Sequence, residues 1–336
     1  MIRRAALVLG MVSALALPAA AQEKMDKVSM GTTPTLAQCS YYVASERGYL
    51  KAEHIVTEEA NFRGAQDAVS AMATGELDVN LGALNAGFFN AMNQGVDYRA
   101  VAALGIQPLP VTSTPLITRK ELWDSGAVKT GADLKGRKVA VNTPGASPEY
   151  FLSLVLQRHG MTLKDVDETM IGFPQMVIAL ANKSIDAAFP AEPFATLAIK
   201  QGSAALVNEE ASIGGGDMTT VFFFSGKFIR ERPEVGVRFL RALIRGVREC
   251  QGFYTKNPEI VGFMAKATHI APETIEAAVP YGFDPDLDIG KYLDSIRRQE
   301  RQHMKDGRIN YKDPVPMDHM VNVALVHKAA ASLIKH

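Results

Sequence analysis

The hydrophobic pattern alternates between short apolar runs and segments with helical spacing. Apolar runs of strand length predict four strands early in the chain, at 28–32, 54–60, 79–84 and 98–104. Before the third strand, Ala65, Ala68, Val69 and Met72 recur at the spacing of one buried helix face, and Gly75 is placed to end that helix. Strands and helices that alternate at this pitch predict βαβ units and a parallel sheet.

A second set of the same elements follows, with further strands predicted at 138–142, 169–173 and 221–224. Leu152, Val155, Leu156 and His159 mark the buried face of a helix that Gly160 ends. After the last strand the pattern is mostly helical, and it predicts helices at 234–254, 258–268, 273–279, 290–304 and 317–334. The fold class is therefore α/β, with a helical C-terminal region.

The chain contains an internal repeat. Shifting residues 69–83 (VSAMATGELDVNLGA) by 108 positions overlays them on residues 177–191 (VIALANKSIDAAFPA) with five identities, including Asp78 on Asp186. A weaker match links 31–51 with 142–164. Any helix, turn and buried strand share part of this apolar pattern, but the aligned identities favour two copies of one lobe.

The N-terminus has the three parts of a cleaved export signal. Arg3 and Arg4 are followed by an apolar stretch at 5–17 and by small residues at 19–21. The stretch is too short to span a bilayer, which takes about 20 apolar residues. Because no cysteine directly follows it, we expect a signal peptide over 1–21, no lipid anchor and a periplasmic location.

The length of the chain predicts its number of domains, and its charge argues against one class of partner. The chain beyond the signal exceeds the length at which one hydrophobic core usually divides, which favours two domains. Loss of Arg3 and Arg4 leaves 34 basic and 36 acidic residues. This near-neutral balance, without basic clusters interleaved with aromatic residues, argues against a nucleic-acid partner.

The two cysteines, Cys39 and Cys250, each lie within a predicted helix. Small buried thiols are common in such positions, so two unpaired thiols are the expectation. A disulfide between them is the alternative in an oxidising compartment.

Two α/β lobes joined by crossing segments form a cleft, and in open α/β sheets ligands bind beyond the carboxyl ends of the strands. The repeat therefore nominates paired segments, at 31–38, 62–66 and 82–85 in the first lobe and at 142–147, 173–175 and 190–193 in the second. Several of them begin a helix, where backbone N–H groups favour an anionic or strongly polar ligand. The repeat further predicts that the turns Leu84-Asn85 and Glu192-Pro193 face one another.

Five segments, in this order, resemble the binding proteins for alkanesulfonates, taurine, nitrate and the pyrimidine precursor of thiamine. They are YYVASERGYLKAE (41–53), AVSAMATGELDVNLGA (68–83), ADLKGRKVAVNTPGAS (132–147), IDAAFPAEPF (185–194) and RERPEVGVRFLRAL (230–243). The resemblance covers essentially the whole mature chain. It implies a two-lobed type II periplasmic binding fold in which each lobe is a mostly parallel sheet flanked by helices. Lobe 1 would comprise 27–113 plus 222–336, and lobe 2 would comprise 114–221.

The resemblance also implies ligand contacts from five turns. Their residues are Thr33, Pro34, Thr35 and Gln38; Arg63 and Gly64; Leu84 and Asn85; Asn142, Thr143, Gly145, Ala146 and Ser147; and Glu192. Asp217, after the glycine run 214–216, is a further candidate that either reaches the cleft or caps a turn. The family usually has a small residue where Arg63 stands and an aromatic residue where Ala191 stands, so ligand identity does not transfer.

Two of these residues have alternative roles. Arg63 is a candidate bidentate clamp for a carboxylate or sulfonate, with a solvated loop arginine as the alternative. Glu192 is a candidate acceptor for an amine-bearing ligand, a residue that holds the lobes closed through a neighbour, or a carboxylate with a purely structural role. The sequence has no HExxH, CxxC, phosphate loop or GxSxG elbow. We therefore expect no catalytic residue, metal or cofactor.

The predicted function is a monomeric solute-binding receptor without catalysis. It would close on a small organic anion, a sulfonate or a carboxylate, and deliver it to an ABC permease and its ATPase, with hinges at 115–119 and 220–225. The alternatives are a receptor for a pyrimidine-like or other vitamin heterocycle, a sensory binding module, and an enzyme of the thiamine-pyrimidine synthase type. That enzyme would need a cysteine-rich iron motif, which two isolated cysteines do not provide.

Overall fold

Two five-stranded sheets form the framework of the computed structural model, which describes residues 24–61 and 68–334. The first sheet is built from β1 (Asp26–Thr32), β2 (Ile55–Asn61), β3 (Val79–Ala83), β4 (Tyr98–Ala103) and β10 (Thr220–Ser225). Their order across the sheet is β2-β1-β3-β10-β4. β1, β2 and β3 run parallel, whereas β10 is antiparallel to both of its neighbours.

The second sheet repeats this arrangement. It consists of β5 (Ile117–Arg119), β6 (Lys138–Val141), β7 (Asp167–Met170), β8 (Ala187–Ala188) and β9 (Ala204–Leu206). Their order is β7-β6-β8-β5-β9, with β6 parallel to β7 and β8, and β5 antiparallel to β8 and β9. Each sheet thus has the same order and a single antiparallel strand, which confirms the predicted α/β fold of two similar lobes.

The aspartates that the repeat aligns perform the same task in both sheets. Asp78 precedes β3, accepts a hydrogen bond from Ser29 N at 3.1 Å and donates its own N–H to Ser29 O at 3.1 Å. Asp186 precedes β8 and makes the equivalent pair with Lys138, at 2.9 and 2.8 Å. Each aspartate therefore ties the start of its strand, β3 or β8, to the neighbouring parallel strand, β1 or β6.

Strand β10 is buried on both faces because its phenylalanines alternate. Phe222 and Phe224 contact the ring of Phe239 on one face of the sheet. Phe223 points to the other face and contacts Phe88. Aromatic side chains on both faces suit the central position of this strand between β3 and β4.

Helices flank both sheets. Their bounds are α1 (Cys39–Glu46), α2 (Tyr49–Ala52), α3 (Val69–Thr74), α4 (Ala86–Asn93), α5 (Lys120–Asp124), α6 (Ser147–Arg158), α7 (Phe173–Ala181), α8 (Phe194–Lys200), α9 (Gly226–Glu231), α10 (Pro233–Glu249), α11 (Pro258–Thr268), α12 (Pro272–Ala277), α13 (Leu293–Lys305), α14 (Met317–Met320) and α15 (Val323–Ser332). Helix α10 packs on α1 and α15, and α14 and α15 pack on β4. The helical C-terminal region is therefore part of the lobe that contains the first sheet.

The single helix predicted at 317–334 is wrong, because the chain forms two helices there. Val321 leaves the helical conformation and forms a parallel bridge with Ala100 of β4. Asn322 then caps α15 by accepting a hydrogen bond from Ala324 N at 3.1 Å. Pairing with the sheet outweighs the helical pattern at this point.

The predicted signal peptide, residues 1–21, lies outside the described residues. Within the described ranges, no helix combines the length and the apolar content that crossing a membrane requires.

The two sheets are joined by residues 104–116 and 207–219, which run side by side. Gln107 N donates to Asp217 O at 2.9 Å, and Gly216 N donates to Gln107 O at 2.8 Å. The ranges in which hinges were expected, 115–119 and 220–225, include β5 and β10.

Cys39 and Cys250 form a disulfide, which corrects the expectation of two unpaired thiols. Cys39 begins α1 and Cys250 follows α10, with their Cα atoms 6.1 Å apart. The two helices approach closely at Gly246, where an added Cβ would lie 2.2 Å from Ser40 O. This tertiary contact between residues 211 positions apart brings the sulfurs together.

Candidate functional site

A cavity of about 40 Å³ lies between the lobes, beyond the carboxyl ends of the strands. The first lobe lines it with Thr33, Thr35, Ala37, Gln38, Leu81, Gly82, Ala83, Asn85, Leu104 and Thr220, and the second lobe with Asn142, Thr143 and Ala146. We call these residues the interlobe cleft. Within the described part of the chain, its lining contains hydroxyl and amide groups but no charged side chain.

Three helix starts meet at the interlobe cleft. Thr35 precedes a 3-10 turn that runs into α1, Asn85 precedes α4, and Ala146 precedes α6. Asn85 caps its helix by accepting a hydrogen bond from Phe88 N at 2.9 Å. Helix starts present N–H groups and partial positive charge, so this arrangement favours a ligand with negative charge or strong acceptors.

Gln38 orients the loop after β1. Its side-chain amide donates to Thr33 O and accepts from Thr32 Oγ1 and, at 3.3 Å, from Tyr42 Oη. The residue is buried, and these contacts hold the Thr33–Thr35 stretch at the cleft.

Direct hydrogen bonds join the lobes around the cleft. Leu36 N donates to Glu192 O at 3.0 Å, and Ala86 N donates to Gly145 O at 2.9 Å. Ser147 Oγ adds a bond of 3.0 Å to Thr219 O on the connecting segment. The lobes are therefore in a closed arrangement.

These contacts correct the prediction that Leu84-Asn85 and Glu192-Pro193 face one another. The turn after β3 instead contacts the Gly145 turn after β6, and Glu192, after β8, contacts the turn after β1. The pairing is crosswise: the β3 turn of the first lobe meets the β6 turn of the second, and the β1 turn meets the β8 turn. Leu84 is fully buried in the core and does not line the cleft.

Gly145 permits the closest approach of the two lobes. It has a φ of +65°, and an added Cβ would lie 2.4 Å from Ala86 Cβ. A glycine is therefore required for both the backbone conformation and the contact with α4.

Glu192 does not line the interlobe cleft. Its buried carboxylate accepts hydrogen bonds from Thr196 N at 3.0 Å, from Thr196 Oγ1 at 2.8 Å and from Val279 N at 3.4 Å. It caps α8 and contacts the C-terminal region, which corresponds to the structural role left open by the sequence.

Asp217 also lies away from the cleft, on the connecting segment. Its carboxylate accepts from Tyr150 Oη at 2.9 Å and from Ser295 Oγ at 3.0 Å, and it pairs with Arg298. Asp217 therefore neither lines the cleft nor caps a turn. Its side chain instead joins α6 to α13.

Pro34 lines a different cavity, of about 410 Å³, at α1 and α11. That cavity is larger than the interlobe cleft, and its described lining comes from the first lobe alone. Arg63 and Gly64 lie outside the described residues. The sequence analysis did not place Leu104 and Thr220 at the cleft. The feature that could have identified them is their position, where the chain leaves and re-enters the first sheet.

The sequence model of the NMT1-like family matches residues 21–265. The chain belongs to the NMT1-like family. Among curated proteins, this NMT1-like chain is similar to a protein of Brucella abortus (strain 2308) named as a candidate binding protein. The two are 25% identical over 244 residues, which cover 71% of this chain and 70% of the relative.

Solved structures share the fold of this NMT1-like chain. The alkanesulfonate-binding protein SsuA from Xanthomonas axonopodis pv. citri, bound to MOPS, has a TM-score of 0.70 at 16% identity, over 89% of this chain and 98% of SsuA. The periplasmic nitrate-binding protein NrtA from Synechocystis PCC 6803 has a TM-score of 0.77 at 13% identity, over 92% and 89%. The desulfurization enzyme DszB has a TM-score of 0.59 at 14% identity, over 92% and 99%. The fold alone therefore does not separate binding proteins from enzymes.

The chemistry of the described residues limits which reactions this NMT1-like chain supports. Both cysteines are in the disulfide, so neither is available as a thiolate nucleophile. Within residues 24–61 and 68–334, no group of three His, Cys, Asp or Glu side chains is placed to bind a metal ion.

Glu192 makes the free energy of unfolding of the chain depend on pH. Burial raises the pKa of Glu192 to about 7, whereas an unfolded glutamate titrates near 4.5. The folded state thus retains the proton more tightly, and the free energy of unfolding falls as the pH rises from about 4.5 to about 7. Glu192→Gln stays neutral, so between pH 5 and 8 its unfolding free energy should gain roughly 2–3 kcal/mol relative to wild type.

Urea denaturation of both proteins at the two pH values measures this difference. Because all other groups titrate alike in the two proteins, their contributions cancel. A constant difference between pH 5 and 8 would show that Glu192 is ionised in the folded state.

Proposed function

We propose that this chain is a periplasmic solute-binding receptor that closes its lobes on a small organic anion, a sulfonate or a carboxylate. It delivers the anion to an ABC permease and its ATPase without catalysis. The observation that carries the proposal is the interlobe cleft, where three helix starts and several hydroxyl groups converge without a carboxylate in the described lining. The signal-like N-terminus and the disulfide agree with a periplasmic location.

The chemistry of the cleft supports an anion over a cation. A cationic ligand would require a carboxylate or an aromatic face to replace its hydration, and the described lining provides neither. Helix N-termini and hydroxyl donors stabilise sulfonate or carboxylate oxygens directly. The sulfonate and nitrate ligands named for SsuA and NrtA are likewise oxyanions.

A thermal-shift screen of the chain from residue 22 onward tests the ligand class. The panel contains alkanesulfonates, aliphatic and aromatic carboxylates, nitrate and pyrimidines. A ligand at a hundred times its dissociation constant adds roughly 2.7 kcal/mol to the free energy of unfolding, which shifts the melting temperature measurably. Shifts with pyrimidines but not with anions would contradict the proposed class.

Calorimetry on cleft variants then tests the site. Thr143→Val removes one cleft hydroxyl. It is expected to lower the affinity for the anion with the largest thermal shift by roughly tenfold, since a hydrogen bond to a charged group is lost. Arg63→Ala is expected to lower the affinity for the same anion by about tenfold or more if the predicted clamp contacts it. Thr74→Val, an exposed threonine on α3, is the matched control. Unchanged affinity in Thr143→Val would remove the interlobe cleft as the site.

A further inference from the structure

One asparagine of the first lobe holds the segment that follows α13 by two hydrogen bonds. Asn90 of α4 donates from Nδ2 to Arg308 O at 3.0 Å and accepts from Asn310 N at 3.1 Å. Both polar groups of a single side chain thus hold the backbone of residues 308–310. This part of the chain therefore moves with α4.

The side chain of Arg308 reaches across to the second lobe. Its guanidinium donates to Glu149 Oε2 of α6 at 3.1 Å and to Glu168 Oε2 of β7 at 2.7 Å. Glu149 is fully buried and the Glu168 side chain is 14% exposed, so both carboxylates are largely withdrawn from water. One arginine of the first lobe therefore partners two carboxylates of the second.

This contact is connected to the rim of the cleft. Glu149 Oε2 also accepts the N–H of Gly145 at 2.5 Å, and Gly145 O accepts the N–H of Ala86. Ala86 begins α4, the helix that carries Asn90. The hydrogen bonds thus form a closed ring that runs from α4 through the Gly145 turn, Glu149 and Arg308 back to α4.

Titratable side chains surround the Arg308 guanidinium. Burial, followed by the neighbouring Glu149, raises the pKa of Glu168, whose carboxylate lies opposite Arg308. Burial lowers the pKa of His303, on α13, to about 4, which keeps its ring neutral. Asp306 is held by Ser153 Oγ at 2.7 Å. Removing Arg308 would leave buried carboxylates without their cation, which is costly.

We propose that Arg308 is a latch: held on the first lobe by Asn90, it binds Glu149 and Glu168 of the second lobe, holds the lobes closed and positions the Gly145 turn. Arg308 is a positioning residue, because it lies outside the interlobe cleft. The inference rests on the lobe closure of the proposed function. It requires no knowledge of the ligand.

Amide hydrogen exchange on the folded, disulfide-bonded protein, without added ligand, tests the latch. The reporters are Ala86 N–H and Leu36 N–H, whose acceptors lie on the opposite lobe, and the amides of β1 serve as an internal measure of global unfolding. In Arg308→Gln, exchange at Ala86 and Leu36 is expected to accelerate by about tenfold or more, while β1 stays protected. A merely structural role would change all of these amides together.

Arg301→Gln is the matched control. Arg301 lies on the exposed side of α13 and has no ion pair among the described residues. The same Ala86 exchange in Arg308→Gln as in wild type would overturn the latch. So would a wild-type protein in which Ala86 exchanges as fast as an unprotected amide.

Asn90→Ala is the second variant, for the case that Arg308→Gln does not fold. It keeps Arg308 and both carboxylates and removes the two hydrogen bonds from α4 to residues 308–310. Faster exchange at Ala86 with protected β1 amides supports the latch, and unchanged exchange overturns it. Because the thermal-shift screen measures ligand binding separately, a positive screen with unchanged exchange would reject the latch alone.

Discussion

Gly145→Ala is expected to lower the affinity for the cleft ligand roughly a hundredfold, because the variant cannot reach the closed arrangement. The added Cβ would lie 2.4 Å from Ala86 Cβ, and 3.0 Å from Ala86 N, on the opposite lobe. The ligand would then contact one lobe at a time. Calorimetry with the ligand found by thermal shift measures the affinity, and small-angle scattering measures compaction of the protein on binding.

Gly160→Ala is the matched control for this substitution. Gly160 has a similar φ of +69°, but an added Cβ there would meet no atom within 4 Å. It should cost about 1 kcal/mol of stability from backbone strain and leave affinity unchanged. Equal affinities in wild type and Gly145→Ala would mean that ligand binding does not require the contact between the Gly145 turn and α4.

Joint replacement of Cys39 and Cys250 by alanine is expected to lower the free energy of unfolding by about 2–5 kcal/mol. The disulfide closes a loop between residues 211 positions apart, so its loss releases the unfolded chain from a long constraint. Urea denaturation monitored by circular dichroism measures the change.

The control is the wild-type protein denatured with and without a reductant. Reduction should move its unfolding midpoint toward that of the alanine variant, whereas the variant should not respond to reductant. A wild-type midpoint that stays constant after mass spectrometry confirms two free thiols would contradict the stabilising role of the bond.

The lobes and their likeness to one another were predictable because they follow from local pattern. The repeat of 108 positions aligned Asp78 with Asp186, and these residues make the same hydrogen bonds in the two sheets. The short strands β5, β8 and β9 were missed. Runs of two or three residues contain too little periodicity to be distinguished from loops.

The cleft was predictable in part. Thr33, Thr35, Gln38, Asn85, Asn142, Thr143 and Ala146 were expected at the cleft and line it. The role of Glu192 could not be read from the sequence, because one of its partners, Val279, is 87 positions away. The disulfide escaped prediction for the same reason, since it depends on the packing of α1 against α10.

The central position of β10 determines the order in which the lobes can form. The second sheet uses residues 117–206 alone, so it can be completed as soon as that stretch has left the ribosome. The first sheet has to wait, because β3 and β4 meet only through a strand that arrives more than a hundred residues later. The second lobe is thus free to fold first. The edges of β3 and β4 that β10 later covers stay unpaired until Ser225 has emerged.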